Sequence, residues 1–188
     1  VELTPNQKKI SENILAARGF QTHLLCGITG SGKTEIYLEV LREKIARGEQ
    51  ALVLVPEISL TPQLLRRFSE KFGNEIAVIH SQLTEREKTN QWWAAVENKK
   101  KILIGARSAL FCPLPKLSMI IVDEEHDASF KQDEKLKYNA RDCAIMLAKI
   151  LDIPIVLGSA TPSLESWHNA ETGKYQLHVL EERISRGK

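Results

Sequence analysis

The stretch that most constrains this chain is Gly27-Ile-Thr-Gly-Ser-Gly-Lys-Thr34, an uninterrupted match to G-x-x-x-x-G-K-[ST]. Such a string needs a buried strand to deliver the chain, a loop whose backbone N–H groups curl into a cradle, and a helix whose N-terminus faces the same point. The flanks fit that framework. Thr22-His-Leu-Leu-Cys26 is a short apolar run, and from Thr34 to Arg47 the residues Ile36, Val40, Leu41 and Ile45 fall near one helical face. Gly27, Gly30 and Gly32 are expected to take φ > 0 and to approach phosphate oxygens where a β-carbon would block them. Lys33 then reaches the β- and γ-phosphates of a nucleotide and the Thr34 hydroxyl holds Mg²⁺, with Thr29 and Ser31 as further loop positions at the cofactor. A glycine-rich turn that contains Lys-Thr by chance is the bland alternative, and the strand-loop-helix setting argues against it.

The 188 residues suffice for one well-cored α/β domain and are too few for two of ordinary size. Short β-branched runs alternate with amphipathic stretches. Strands are expected at His23–Cys26, Ala51–Val55, Ile76–Ile79, Ile102–Ile104, Met119–Asp123 and Ile155–Gly158, with a weaker one at Gln176–Leu180. Helices are expected at Thr34–Arg47, Thr61–Phe72, Thr84–Asn98 and Ala140–Ile150. Nearly continuous apolar strands in this alternation predict a mostly parallel sheet with helices on both faces, and place a site at the C-terminal ends of the strands.

Composition excludes more than it assigns. A hydrophobic fraction of 43% beside 27% charged residues is that of an ordinary globular chain, and no apolar stretch approaches the ~20 residues of a membrane span. A net charge of +2 is too mild to argue nucleic-acid binding. Asn98-Lys-Lys-Lys101 reads as a solvated turn, and at least one of Trp92 and Trp93 as core. Cys26, Cys112 and Cys143 are odd in number and widely spaced, which suits unpaired thiols in a reducing cytoplasm. The start at Val1, without Met, and the polar stretch 181–188 suggest a piece of a longer protein.

Two further strings carry chemistry. Met119-Ile-Ile-Val-Asp-Glu-Glu-His126 is an apolar strand ending in adjacent carboxylates. Asp123 at the strand tip can complete the Mg²⁺ shell begun by Thr34, usually through water because Mg²⁺ dehydrates reluctantly. Glu124 can orient and deprotonate the water that attacks the γ-phosphate. Gly158-Ser-Ala-Thr-Pro-Ser163 closes the run Ile155–Leu157, and Ser163 or Thr161 is placed to cap a helix that begins at Leu164.

In that order, the phosphate loop, Asp-Glu-Glu-His and Ser-Ala-Thr resemble the first motor lobe of superfamily 2 helicases, a RecA-like P-loop fold. Longer strings are similar to the bacterial replication-restart (primosomal) helicases over essentially the whole chain. These are 27–37, Val55-Pro-Glu-Ile-Ser-Leu-Thr-Pro-Gln63, Gly105-Ala-Arg-Ser-Ala-Leu-Phe111, Asp123–Asp127 with Ser129-Phe-Lys-Gln132, and Gly158–Glu165. The resemblance implies a helicase ATP-binding domain over 1–180, with 181–188 opening a linker to a second lobe. It implies that Gln7, in Leu3-Thr-Pro-Asn-Gln7, reads the adenine edge, although Thr4 and Pro5 also suit a helix start.

Further roles come by the same route. Ser59, Thr61, Gln63, Arg107 and Ser108 are implied contacts to the DNA backbone, which position a strand without reading it; for Arg107 an ion pair joining two loops is the structural alternative. The polar stretch with Phe130, Lys131, Lys135, Lys137, Tyr138 and Arg141 corresponds to an aromatic-rich loop that senses single-stranded DNA by stacking; Tyr138 suits anchoring the next helix equally. His126, Ser159 and Thr161 would couple γ-phosphate state to DNA contacts.

The implied activity is that of an ATP-dependent 3′-to-5′ DNA helicase for replication restart, acting in the cytoplasm on single-stranded and forked DNA. Primosome and single-strand-binding proteins are the implied partners, and the lobe is expected to be a monomer. The family's arginine fingers lie in a second lobe, and zinc is expected only in other parts of the parent protein. Because an arginine finger is worth about 10³ to 10⁵ in rate, the lobe alone should bind MgATP and be a weak ATPase. A generic P-loop NTPase or kinase domain is the alternative class, and a silent binding module a third.

Overall fold

The computed structural model describes residues 2–133 and 137–180. The expected linker at 181–188, and Lys135, lie outside the described residues. Seven strands form one sheet in the order β3-β4-β2-β5-β8-β1-β9. They are β1 (Thr22–Gly27), β2 (Gln50–Leu54), β3 (Ile76–Ile79), β4 (Ile102–Gly105), β5 (Leu117–Val122), β8 (Ile155–Ser159) and β9 (Gln176–Leu180). Every pairing in this sheet is parallel. The remaining two, β6 (Lys131–Gln132) and β7 (Tyr138–Asn139), pair antiparallel as a small separate ribbon.

Alternate residues of each central strand feed two cores, one per face. Leu24, Leu52, Leu54, Ile120, Val122, Ile155 and Leu157 point into one, with Ala95 of α4 (Glu85–Val96) and Ala144 and Ala148 of α5 (Ala140–Ile150). Leu25, Ala51, Val53, Met119, Ile121 and Val156 point into the other. There they meet Ile10 and Ile14 of α1 (Pro5–Ala16), Ile36 and Leu41 of α2 (Lys33–Ala46), and Phe68 of α3 (Pro62–Phe72). Burial on both faces is why these strands read as unbroken apolar runs.

Helix boundaries follow capping chemistry. Thr61 and Thr84 are N-caps, their hydroxyls accepting from the N–H of Leu64 and of Glu87, so each helix begins one residue later than its apolar pattern suggests. Ser163 settles the open question of the last helix, α6 (Leu164–Glu171): it is the cap and accepts from Ser166 N–H. Thr4 and Gln7 form a reciprocal capping box at α1. Trp92 packs on the core while Trp93 is 55% exposed. Cys26 and Cys112 are buried free thiols, both pushed up to about 11 by burial.

Candidate active site

Because the sheet is parallel, the loops that follow its strands all leave at one end. Strands β5, β8 and β1 are consecutive in the sheet, so Asp123–His126, Ser159–Ser163 and Gly27–Thr34 emerge side by side. The three strings that sequence singled out, spread over 137 residues from Gly27 to Ser163, therefore share one rim. Strands β3, β4 and β2 fill the other half, and they release the loops that contain Ser59 to Gln63 and Arg107 to Phe111.

In the phosphate loop Gly30 has φ 82° and Gly32 φ 93°, as expected of a left-handed cradle. Gly27 is different. It has no positive φ, and it is required for space: a β-carbon there would lie 2.4 Å from Ser31 Oγ and 3.0 Å from Leu180 Cβ. Lys33 is buried, with its ammonium donating to the Gly27 carbonyl at 2.8 Å. Thr34, one residue along, is half-buried, and Thr29 is exposed.

Two observations test this loop against a nucleotide phosphate. Among the described residues Ser31 Oγ is buried without a hydrogen-bond partner, and a β-carbon on Gly30 would meet nothing within 4 Å, so the cradle has an unsatisfied donor and open space beside it. The residues present fit a phosphate. Gln7, 1% exposed, ties the loop to α1: its Oε1 accepts from Thr4 N–H at 2.8 Å and its Nε2 donates to the Gly32 carbonyl at 3.3 Å.

The carboxylate string makes a tight turn. Asp123 N–H donates to the Leu54 carbonyl and Glu125 N–H to the Gly158 carbonyl, which pins the turn between β2 and β8. Burial raises the Asp123 carboxyl above its ordinary range and Glu124 adds to this, while a hydrogen bond from the Tyr37 hydroxyl and the charge of Lys33 pull the other way. Glu124 sits at φ 49°, in the left-handed region that costs a side-chain-bearing residue roughly 1–2 kcal/mol. Such strain concentrates at functional positions, and nothing in the sequence announces it. His126 Nδ1 lies 2.6 Å from Ser159 Oγ and 3.7 Å from Glu124 Oε2, and Thr161 N–H donates to the same serine at 3.0 Å. His126, Ser159 and Thr161 are thus joined through one hydroxyl.

Glu125 has a role that sequence reasoning missed. Its side chain is wholly buried and accepts from Ser163 N–H (2.7 Å), Ser163 Oγ (3.2 Å), Ser166 Oγ (2.9 Å) and Arg141 Nη1 (3.1 Å). Arg141 also reaches Asp142 and Glu165 at 2.8 Å each. This guanidinium is spent on joining the carboxylate turn to α5 and α6, so its expected place in a DNA-sensing loop is corrected. The signal was available only as a third acid in a row.

On the other half of the rim, Ser108, Thr61 and Gln63 are exposed and Ser59 half-buried. Thr61 already uses its hydroxyl as a cap. Arg107 joins two loops by hydrogen bonds, with no ion pair among the described residues: Nη1 donates to the carbonyls of Ser129 (3.2 Å) and Lys131 (2.9 Å). Phe130 between them is 1% exposed and belongs to the core, so its expected stacking on a DNA base is corrected: the ring has no free face. Lys131 is exposed and 3.5 Å from Asp133. Tyr138 packs edge-on against Phe111, ring centres 5.3 Å apart, and Phe111 is 54% exposed. Sequence had placed Phe111 only at the end of a string.

A phosphate cradle, an acidic turn and a Ser-Ala-Thr strand end on three neighbouring parallel strands define the nucleotide-side half of a helicase motor, and the chain belongs to the DEAD/DEAH box helicase family, whose model matches residues 4–170. It is similar to the replication restart protein PriA of Synechocystis (49% identical over 183 residues, 96% of the chain and 22% of that protein). To PriA of Haemophilus influenzae it is 50% identical (96% and 25%), and to that of Bacillus subtilis 46% (97% and 23%). The chain thus spans about a quarter of the length of these curated relatives and corresponds to their helicase lobe. In fold it resembles RecG bound to a three-way DNA junction (TM-score 0.73, 24% identity, 100% of this chain and 25% of that one). The Hef helicase domain of Pyrococcus furiosus is a second such neighbour (TM-score 0.64, 18% identity, 92% and 36%).

Proposed function

We propose that this chain is the ATP-binding lobe of an ATP-dependent 3′-to-5′ DNA helicase that acts in replication restart, with residues 1–180 as the lobe and 181–188 opening the linker to a second one. The observation that carries the reading is the convergence of Gly27–Thr34, Asp123–His126 and Ser159–Ser163 at the ends of three adjacent strands. Thr34 and Asp123 would hold Mg²⁺, which supplies charge neutralisation at the phosphates. Lys33 and the loop N–H groups bind the phosphates, and Glu124 positions and deprotonates the attacking water. Gln7, whose amide bonds Thr4 N–H and the Gly32 carbonyl, would have to release one of these to read the adenine edge.

His126, Ser159 and Thr161 relate the phosphate side to the DNA side. Ser59, Thr61, Gln63, Arg107 and Ser108 would meet the backbone of single-stranded or forked DNA, and Lys131 and Tyr138 would belong to the loop that senses the single strand. Relatives named replication restart protein PriA support a place in replication restart. Primosome and single-strand-binding proteins as partners, a cytoplasmic setting and a monomeric lobe are proposed on the family resemblance alone. Among the described residues no helix is long and apolar enough to cross a membrane.

The test is MgATP binding and phosphate release by this chain, with and without single-stranded DNA, beside Lys33→Ala. The expected result is binding that the variant loses, with little turnover, because the arginine finger of a second lobe is worth about 10³ to 10⁵ in rate. DNA-stimulated turnover abolished in the variant would mean that the lobe is catalytically complete. Phosphate transfer to a small metabolite, indifferent to DNA, would identify a kinase instead.

A further inference from the structure

We propose that Tyr37 is a positioning residue that holds Asp123 in its metal-facing arrangement and ties it to strand β8. Tyr37 follows Lys33 by four residues and Thr34 by three on α2, so the helix presents all three toward one side. It is 3% exposed, and its hydroxyl donates to Asp123 Oδ1 at 2.8 Å.

The second, independent observation is at Gly158. It has no positive φ, so its backbone does not demand glycine. Its need is for space: a β-carbon there would lie 1.7 Å from the Tyr37 hydroxyl oxygen, 3.0 Å from the ring carbon that bears it and 3.1 Å from Asp123 Oδ1. The tyrosine hydroxyl therefore occupies the volume that any other residue at 158 would fill. Gly158 is followed directly by Ser159, the hydroxyl shared by His126 and Thr161, and its own carbonyl accepts from Glu125 N–H. One phenol thus touches the carboxylate turn and the Ser-Ala-Thr strand while standing on the helix that the phosphate loop opens.

The inference rests on the proposed MgATP reading, and one experiment separates the two. A fluorescent ATP analogue is titrated into this chain in excess Mg²⁺ and again in EDTA, for the parent, Lys33→Ala and Tyr37→Phe. The parent should bind more tightly with Mg²⁺, and Lys33→Ala should lose binding in both conditions. Tyr37→Phe should lose about tenfold in Mg²⁺, as removal of a hydrogen bond to a charged group implies, and stay within about twofold of the parent in EDTA. Equal losses in both conditions, or none, would overturn the positioning role while leaving the nucleotide reading intact. A parent with no Mg²⁺-dependent binding would remove both.

Thermal unfolding supplies the second arm. Gly158→Ala should lower the midpoint strongly in the parent, and much less in the Tyr37→Phe background, because the worst contact has gone. An equal drop in both backgrounds would contradict the contact on which the proposal stands.

Discussion

His23 and His178 form a buried pair whose titration sets a measurable acid sensitivity. They face each other across β1 and β9, His23 Nδ1 3.0 Å from His178 Nε2 and the rings stacked 5.3 Å apart, with His23 wholly buried and His178 5% exposed. One proton can lie between the two nitrogens. A second would set N–H against N–H, and His23 Nε2, buried without a partner among the described residues, has nothing there to receive the added charge. Burial, with His178 adding, lowers His23 to about 3; burial also lowers His178.

Below about pH 6.5 the unfolded chain therefore binds more protons than the folded one, and stability falls as pH drops from there toward 3. At about 1.36 kcal/mol per pH unit, His23 alone costs roughly 2 kcal/mol between pH 6.5 and pH 5. Urea unfolding of the parent and of His23→Leu at pH 7.5 and pH 5.0 measures it: the loss on acidification should shrink by about 2 kcal/mol in the variant. Asp123, raised in the fold, acts with the opposite sign, favouring the folded state as pH falls, and cancels because both proteins keep it. An equal loss in parent and variant would refute the argument.

Glu125→Ala leaves Arg141 buried beside a lost partner and should destabilise by about 3–5 kcal/mol in denaturant titration, although Glu125 is assigned no contact with nucleotide or metal. Phe130→Ala should cost about 3–5 kcal/mol by the same assay, as for any fully buried aromatic. A stacking residue on the surface would cost almost nothing, so a loss under 1 kcal/mol would restore its place at the DNA.

What was legible in the sequence was whatever short-range chemistry dictates. The phosphate loop, the strand ends at Asp123 and Gly158, and the helix start at Thr4 and Pro5 each announce themselves within a few residues, because glycine, proline and hydroxyl side chains act on their own backbone; the last cap was narrowed to Ser163 or Thr161, and the structure assigns Ser163. The weak strand at Gln176–Leu180 also forms, completing the sheet beside β1. Partners distant in sequence were not legible. Arg141 looked like one more basic residue in a polar stretch, and only the fold brings it to Glu125, 16 residues away, and to Glu165, 24 away. Phe130 looked exposed because its neighbours are polar, yet one residue of a polar loop can face inward without altering the local pattern.

The same limit bears on how the two halves of the rim communicate. The nucleotide-side strings lie on β5, β8 and β1, and the other half on β3, β4 and β2. Within the sheet they meet where Asp123 N–H donates to the Leu54 carbonyl of β2. A second bridge is lateral. Arg107, on the loop after β4, grips the carbonyls of Ser129 and Lys131, three and five residues beyond His126. Movement of the His126 turn would pull directly on a segment that Arg107 holds through one guanidinium nitrogen bonded to both carbonyls. Communication between the halves then turns on whether this segment has two stable arrangements, since a chain of contacts carries energy only through an element that both sites bias.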